Sequence, residues 1–459
     1  MDLHVQKHGR KKWVSPLKDT DMRFLEEHCG LFGIYSTQNN CISDLVLGMF
    51  KLQHRGQHSC GLSVWNKGIK NHVFPGLVRQ AFSPDRTNAI QSSFGIGHVS
   101  IKEMQPIRLE SKLGEFAIAF SGNILNAEEL FSQMKKENHS FTNHTHVELL
   151  GKLISQEKTF PEGLANISAK AHGSWTILLL TQEGIYAARD PRGYKPLILG
   201  AKDTTVVVSS ESRPFSLLGC TIVRDVLPGE IVFLGPEGIS TVLQAPAQTI
   251  QHCAFEWGYI ASMDSIIDGI PVVRARNNLG AALAKNDNVE ADIVAPIPFS
   301  GIGYALGYHR EAKIPYDEVF LIDRFASRSY MPLTQEERDQ EAKIKLSVVS
   351  DSVKGKRIIL CDDSIVRGTQ IRNKVLELKA YGAREVHVRV GCPPLVAPCL
   401  YDISTRSYQE LAATRYSIKE ICRRIGADTL RYNSIEDMVK AIGIPETNLC
   451  LHCWRKKDS

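Results

Sequence analysis

The hydrophobic pattern of the first half of the chain predicts short strands with a few helices between them. Apolar residues separated by three and four positions predict helices over about 41–53, 126–137 and 146–155. Alternating or continuous apolar runs predict strands over 62–65, 116–121, 175–180, 205–209 and 230–234. Groups of strands with segregated helices are typical of a layered α+β domain.

Near residue 250 the pattern changes to an alternation of strands and helices. Helices are predicted over 271–286 and 301–313, strands over 292–296, 317–321 and 385–390, and a strand–loop–helix unit over 357–380. This alternation predicts a doubly wound parallel sheet. The polar segment 324–349 has little periodicity, and a loop of that length in a compact domain is usually a lid over a ligand.

Two carboxylates, Asp362 and Asp363, directly follow the apolar strand predicted at 357–361. A turn then leads into a helix and carries Ser364, Val366, Arg367, Gly368 and Thr369. Such a turn directs several backbone N–H groups to one point, which suits a phosphate. The carboxylates can accept hydrogen bonds from vicinal ribose hydroxyls or help to hold Mg²⁺. No Gly-x-x-x-x-Gly-Lys precedes, so this is not a Walker loop. The sequence predicts a sugar-phosphate site, with an ordinary acidic turn as the alternative.

Composition limits the partners and the compartment. The chain has 459 residues, room for two or three domains, and a net charge of only +5, too little to indicate nucleic-acid binding. It contains no run of 18 apolar residues, and its first 28 residues lack an apolar signal core, so neither a membrane span nor secretion is predicted. Eleven cysteines then indicate a reducing cytoplasm, where thiols serve metals or catalysis.

The loop at 357–369 resembles the phosphoribosyl-pyrophosphate (PRPP) loop of type I phosphoribosyltransferases. The flanking motifs narrow the resemblance to the amidophosphoribosyltransferase family, over nearly the whole chain from Cys29 to Cys453. In the family's order these motifs are Cys29-Gly-Leu-Phe-Gly33, Leu52-Gln-His-Arg-Gly56, Arg189-Asp-Pro191, Val226-Leu-Pro-Gly-Glu230, Asp264-Ser-Ile-Ile-Asp-Gly269 and Arg324-Phe-Ala-Ser-Arg328.

The resemblance implies a fold and an activity. After a leader at 1–28, we expect an α+β N-terminal-nucleophile domain at 29–252, similar to class II glutamine amidotransferases. An α/β type I phosphoribosyltransferase domain at 253–430 and a C-terminal segment at 431–459 would follow. The implied reaction is PRPP plus an ammonia source giving 5-phosphoribosylamine and pyrophosphate, the first committed step of purine synthesis. A homo-oligomer, dimer or tetramer, with no nucleic-acid or membrane partner, is also expected.

The same resemblance assigns the PRPP site. Ser300, Asp362 and Asp363 would contact Mg²⁺, and the turn from Asp362 to Thr369 would hold the substrate. The motif Pro296-Ile-Pro-Phe-Ser-Gly301 resembles the pyrophosphate-side turn, with Ser300 and Gly301 kept and Phe299 in place of an aspartate. Phe299 could simply be a core residue. A lid, rather than a merely solvated loop, would contribute Arg324, Arg328, Tyr330, Gln335, Arg338 and Lys345.

The N-terminal half resembles a glutaminase whose substrate contacts have changed. Cys29 would become the first residue after processing, with its own α-amino group as the base for the thiol. Arg55 and Gly122 match the family's catalytic residues. The family's carboxylate-binding arginine, oxyanion-hole asparagine and ammonium-binding aspartate are replaced by Ser100, Ser121 and His146. We therefore expect glutamine hydrolysis to be absent, very slow or directed at another amide.

Four cysteines stand where iron–sulfur members of the family place their ligands: Cys253, Cys399, Cys450 and Cys453. Four thiolates suit a [4Fe–4S] cluster or tetrahedral zinc, and the resemblance favours the cluster. His452 would adjust such a site rather than bind it. The remaining cysteines are expected to be small core residues: Cys41, Cys60, Cys220, Cys361, Cys392 and Cys422.

A second function stays open. A degenerate amidotransferase domain could act as a scaffold or as a sensor of an amino acid or nucleotide. The PRPP site would then serve binding, or transfer to an unknown acceptor.

Overall fold

The computed structural model describes residues 29–38, 40–101, 103–245, 249–322, 346–402, 405 and 407–455. The expected leader at 1–28 lies outside the described residues, as do the residues of the predicted lid up to Lys345.

The N-terminal half contains two antiparallel sheets. The first has seven strands, in the spatial order Thr221–Asp225, Ile198–Lys202, Thr205–Ser209, Gly30–Ser36, Phe94–Ser100, Ser59–Trp65 and Ile69–Pro75. The second has six strands, in the order Gly238–Gln244, Glu230–Gly235, Ile185–Arg189, Gly173–Leu180, Gly114–Ile124 and Ile107–Ser111. Every predicted strand of this half lies within one of them.

The two sheets pack face to face, and helices cover their outer faces. Leu31 and Ile96 of the first sheet share one buried cluster with Ala117 and Leu178 of the second. The first sheet is covered outside by Ile42–Lys51, Val78–Ala81 and Arg213–Leu218, and the second by Ala127–Lys136, His146–Ser155 and Phe160–Lys170. The layered α+β prediction is confirmed. It holds because the central strands have one face toward the partner sheet and one toward a helix, so both of their faces are apolar.

The second half contains a parallel sheet of four strands, in the order Ile293–Pro296, Arg357–Asp362, Glu385–Val390 and Thr429–Tyr432. Val294 and Ile359 pack in one buried cluster with the helices Val272–Lys285, Ile302–Ala312 and Ile435–Ile442. Ile358 and Leu360 pack in another, with Thr369–Ala380 and Ile418–Ile425. Because helices cover both faces, the doubly wound prediction is confirmed.

Shorter elements connect these layers. They are the helices Pro84–Thr87, Ser350–Val353 and Ala412–Arg415, the π-helical turn Glu256–Ile260, the hairpin of Ile266–Ile267 with Ile270–Pro271, and the 3₁₀ turns Gln53–Arg55, Tyr408–Glu410, Glu446–Asn448 and His452–Trp454. Within the part of the chain that the structure describes, no helix has the length and apolarity to cross a membrane.

Two sequence predictions were wrong in detail. The strand predicted at 317–321 does not join the main sheet: Phe320–Ile322 pairs antiparallel with Leu346–Val348, and only Tyr316 bridges to the edge strand at Val294. The boundary expected after residue 430 cuts the fourth strand, Thr429–Tyr432. Beyond it, Ile435–Ile442 packs on Val272–Lys285, so the C-terminal segment belongs to the same core.

Candidate active site

Two turns meet at the carboxyl ends of neighbouring parallel strands. Ile293–Pro296 pairs with Arg357–Asp362 in a register that puts Pro296 opposite Cys361. The Ser300 hydroxyl then donates a hydrogen bond of 2.7 Å to Asp362 Oδ1. This edge is where ligands bind in open α/β sheets. The structure therefore brings together the two halves of the predicted PRPP site, which are 62 residues apart in sequence.

The two aspartates lie close together at this edge. The Asp363 N–H donates to Asp362 Oδ1 over 3.0 Å, and the Ser364 hydroxyl donates to Asp363 Oδ2 over 2.5 Å. Burial and the charge of Asp363 raise the pKa of Asp362 well above its ordinary value, and burial raises the pKa of Asp363. A cation or hydroxyl donors at this point would stabilise both ionised carboxylates.

Glycine permits the tight geometry of both turns. A Cβ on Gly301 would lie 2.1 Å from the carbonyl oxygen of Cys361, so no other residue fits there. Gly368 has φ of 85°, a left-handed conformation that glycine adopts without strain, and the helix Thr369–Ala380 begins immediately after it. The predicted strand–turn–helix unit is therefore present.

Phe299 lies on the pyrophosphate-side turn with 70% of its surface exposed. The suggestion that it is a core residue was wrong. It directly precedes Ser300 in the chain, at the position where the family's aspartate would place a charge.

Cys29 lies at the start of the strand Gly30–Ser36, and two of the replaced residues contact it. Its Sγ is 3.8 Å from the Ser100 hydroxyl, and its carbonyl accepts a hydrogen bond of 3.1 Å from the Ser121 hydroxyl. Burial raises the pKa of the Cys29 thiol. His146 is the first residue of the helix His146–Ser155, with its Nδ1 3.5 Å from the N–H of Ile124.

Gly122 has φ of 145°, and a Cβ there would lie 2.0 Å from the carbonyl oxygen of Ser174. The strand Gly114–Ile124 can therefore pass this neighbour only with glycine at position 122, beside Ser121.

Arg55 is buried in an ion-pair network that the sequence did not reveal. Its Nη1 is 2.5 Å from Glu211 Oε1, and its Nη2 is 2.6 Å from Glu256 Oε1. These carboxylates raise the pKa of the Arg55 guanidinium further, and His54 and Arg55 hold the pKa of Glu211 far below its usual range. The Nε donates to the carbonyl of Cys29 over 3.4 Å, so Arg55 positions Cys29 and links it to Glu256 of the second domain.

Replacing Arg55 with methionine should lower the free energy of unfolding by about 3–5 kcal/mol, because two buried carboxylates would lose their partner. Urea and thermal unfolding measure this. Lys440→Met is the matched control: it removes an ion pair whose side chains are 70% and 75% exposed, and should change little. Equal small effects of both changes would contradict this account.

Backbone hydrogen bonds bring the four predicted ligand cysteines together from three separate segments. The short strands His252–Cys253 and Leu449–Cys450 pair in parallel, with Cys253 opposite Cys450. The N–H of Val396 donates to the carbonyl of Cys453 over 2.9 Å. Cys253, Cys399, Cys450 and Cys453 all line one cavity, together with Tyr194, Lys195, Tyr401, Asp402 and His452.

The thiols of this cavity are buried close to one another, and both features change their pKa values. Burial, with the nearby thiols, raises the pKa of Cys253 and Cys453 well above the ordinary value. A bound metal would favour the thiolate forms of these cysteines. Among the described residues, no group of three or more His, Cys, Asp or Glu is arranged to hold a single metal ion.

The loop after Cys399 joins the cavity to the N-terminal domain, a connection that no sequence signal indicated. Asn123 Nδ2 donates to the carbonyl of Leu400 over 2.7 Å. The buried Lys195 pairs with Asp402, and the rings of Tyr194 and Tyr401 stack with centroids 4.0 Å apart.

All eleven cysteines lie in the described part and are free thiols. Of the six expected core cysteines, four are buried, and Cys220 and Cys422 are partly exposed.

Comparison with known proteins agrees with this architecture. A glutamine amidotransferase domain model matches residues 94–216. The amidophosphoribosyltransferase of Methanothermobacter thermautotrophicus is 38% identical over 444 residues, which cover 94% of each chain. That of Bacillus subtilis is 34% identical over 453 residues, 95% of each chain. The solved structure of the B. subtilis glutamine PRPP amidotransferase, complexed with ADP and GMP, has a TM-score of 0.87 at 35% identity and covers 93% of this chain and 96% of that one.

The fold and the site define an amidotransferase-type layered domain followed by a phosphoribosyltransferase domain. The chain belongs to the amidophosphoribosyltransferase family, since relatives above 30% identity cover almost all of it. It is accordingly an enzyme of the pentosyltransferase class, as the resemblance predicted.

Proposed function

We propose that this protein transfers the phosphoribosyl group of PRPP to ammonia, giving 5-phosphoribosylamine and pyrophosphate for purine synthesis. The observation that carries the proposal is the pairing of Ser300 with Asp362 across two parallel strands, beside Asp363. The test is a phosphoribosylamine assay on purified protein with PRPP and Mg²⁺, in which ammonium chloride and glutamine are compared as nitrogen sources.

The proposed roles follow from the chemistry of displacement at C1. The bond from C1 to pyrophosphate breaks as ammonia attacks, and the product amine then loses a proton. Asp362 and Asp363 would accept hydrogen bonds from the ribose hydroxyls, and the N–H groups of the turn before Gly368 would bind the 5-phosphate. Ser300 and Gly301 would face the pyrophosphate. The lid residues Arg324, Arg328 and Lys345 remain predictions, because they lie outside the described residues.

Magnesium fits the donor set of this site. Ser300, Asp362 and Asp363 would hold Mg²⁺ together with water and the substrate's phosphates, and it would neutralise charge on the departing pyrophosphate. Phe299 places no carboxylate on the pyrophosphate-side turn. Asp362 and Asp363 are therefore the acidic residues of the proposed site.

We propose further that ammonia, rather than glutamine, is the effective nitrogen source. The Ser100 hydroxyl beside the Cys29 thiol is neutral and short, and it cannot form the two-pronged contact of an arginine with a carboxylate. The Ser121 hydroxyl donates its hydrogen bond to the carbonyl oxygen of Cys29, so this donor is already occupied within the protein. His146 offers no carboxylate to an ammonium group. Arg55 would keep its positioning role, and Gly122 would remain as a backbone donor.

We also propose a [4Fe–4S] cluster on Cys253, Cys399, Cys450 and Cys453. These thiols line one cavity, and four thiolates suit a [4Fe–4S] cluster, which the family resemblance favours over zinc. A cluster spreads its ligands over a larger body. It would join three segments that are distant in sequence, a structural role.

Anaerobically purified protein should be brown and contain about four iron atoms and about four sulfide ions per chain. Cys399→Ser should remove most of the iron and lower the unfolding temperature. Cys220→Ser, at a partly exposed cysteine that lines a different cavity, should retain the iron. About one zinc per chain without acid-labile sulfide would select the zinc site instead.

A second candidate function rests on the three replaced residues, Ser100, Ser121 and His146. The N-terminal half would then be a scaffold or sensor, and PRPP would be bound or transferred to another acceptor. PRPP binding without phosphoribosylamine from either nitrogen source would select it.

We propose a reducing cytoplasmic location, which eleven free thiols support, and a homo-oligomeric state.

A further inference from the structure

The PRPP loop packs against residues 407–416, which we call the backing segment. The N–H of Ala412 donates to the carbonyl of Val366, in the middle of the loop, over 2.7 Å. Ala412 and Ile365 are both buried in the same cluster as the helix Ile418–Ile425. The segment and the loop therefore pack as one unit, joined by a hydrogen bond and a shared core.

One ion pair joins the backing segment to the loop. Glu410 ends the 3₁₀ turn Tyr408–Glu410, and its Oε1 is 3.1 Å from Nη2 of Arg367. The two side chains are 31% and 30% exposed, so water reaches both. Arg367 directly precedes Gly368 and the start of the helix Thr369–Ala380, where the positive end of the helix dipole already favours an anion.

A partly exposed arginine ordinarily samples many rotamers, and fixing it in one of them costs conformational entropy. When Glu410 already holds the arginine in one orientation, this entropy is lost before PRPP binds. A guanidinium has five N–H donors in a planar fork, and pairing with one carboxylate does not use all of them. Glu410 can therefore hold Arg367 in place while the guanidinium still contacts a phosphate.

We propose that Glu410 is a positioning residue that orients the Arg367 guanidinium toward a phosphate group of bound PRPP. The inference rests on the proposed function, since it needs PRPP in this site. Glu410 touches no substrate atom; its effect passes through Arg367.

The test is PRPP binding to full-length protein with Mg²⁺, by calorimetry, alongside KM and kcat of the ammonia-driven reaction. Glu410→Gln should raise the Kd and the KM for PRPP about three- to tenfold and leave kcat within about twofold, because preorganisation acts on binding. Glu410→Asp should recover part of the affinity. In an Arg367→Gln background, Glu410→Gln should have no further effect.

The matched control is Glu377→Gln, which removes an ion pair with Lys374 on the helix that follows the loop. The Glu377 side chain is 28% exposed, close to the 31% of Glu410, and should not alter PRPP affinity. An unchanged or tighter Kd in Glu410→Gln would overturn the inference, as would equal effects of both glutamate changes. Failure of the wild-type protein to bind PRPP would instead reject the proposed function itself.

Discussion

Replacing Asp362 and Asp363 together with asparagine should weaken PRPP binding by roughly 100-fold or more. Each carboxylate would lose a charge-assisted hydrogen bond worth about 1.5–3 kcal/mol, and the pair would lose its attraction for Mg²⁺. Calorimetry with PRPP and Mg²⁺ measures the loss.

The free energy of unfolding of this double variant should stay the same or rise, although its affinity for PRPP falls. Burial raises the pKa values of both aspartates, and the charge of Asp363 raises that of Asp362 further, so the folded state binds protons more tightly than the unfolded chain. The ligand-free protein therefore loses stability as the pH rises above about 4, and the asparagine variant should be equally or more stable near neutral pH. Weakened binding with an unchanged or higher unfolding temperature separates a lost ligand contact from misfolding.

Glu290→Gln is the control for this experiment. Glu290 pairs with Arg357 at the other end of the same strand, and its side chain is 86% exposed. The control should bind PRPP normally. Unchanged affinity in the double asparagine variant would reject the assignment of this edge as the PRPP site.

Ammonium chloride should support phosphoribosylamine formation at a rate at least about 100-fold above that with glutamine. Loss of one oxyanion-hole donor alone costs about 2.7–4 kcal/mol, and loss of the charged contacts to the carboxylate and ammonium groups adds to it. Ser100 and Ser121 both lie against Cys29, so the replacements act where the amide would be cleaved. The measurement is a phosphoribosylamine assay with glutamine freed of ammonium.

Two further measurements separate processing from glutamine use. Mass spectrometry of the native protein should show a chain beginning at Cys29 if the leader is removed, because processing requires the thiol but not the substrate contacts. A diazoketone analogue of glutamine should modify Cys29 slowly or not at all. Rapid stoichiometric labelling that abolishes glutamine-dependent amination would contradict the proposal and indicate a complete glutamine-dependent enzyme.

The sequence by itself determined the elements and the local chemistry of this protein. The apolar run at 357–361 with Asp362, Asp363 and Gly368 predicts the strand, carboxylates and helix start that the structure contains. Such features arise from neighbours along the chain: the strand's pattern, the need for glycine at positive φ and the exposed N–H groups of a helix start. The family motifs, which are also local in sequence, indicate the PRPP site and the four candidate ligand cysteines.

Only the tertiary structure decided which distant residues meet. Arg55 pairs with Glu256, 201 residues away, and Lys195 with Asp402, 207 residues away. The strand Phe320–Ile322 pairs with Leu346–Val348 instead of joining the main sheet, a choice that its own short apolar pattern does not reveal. A buried charge requires a partner, yet nothing in its local sequence says which one, because that choice depends on how sheets and segments pack around it.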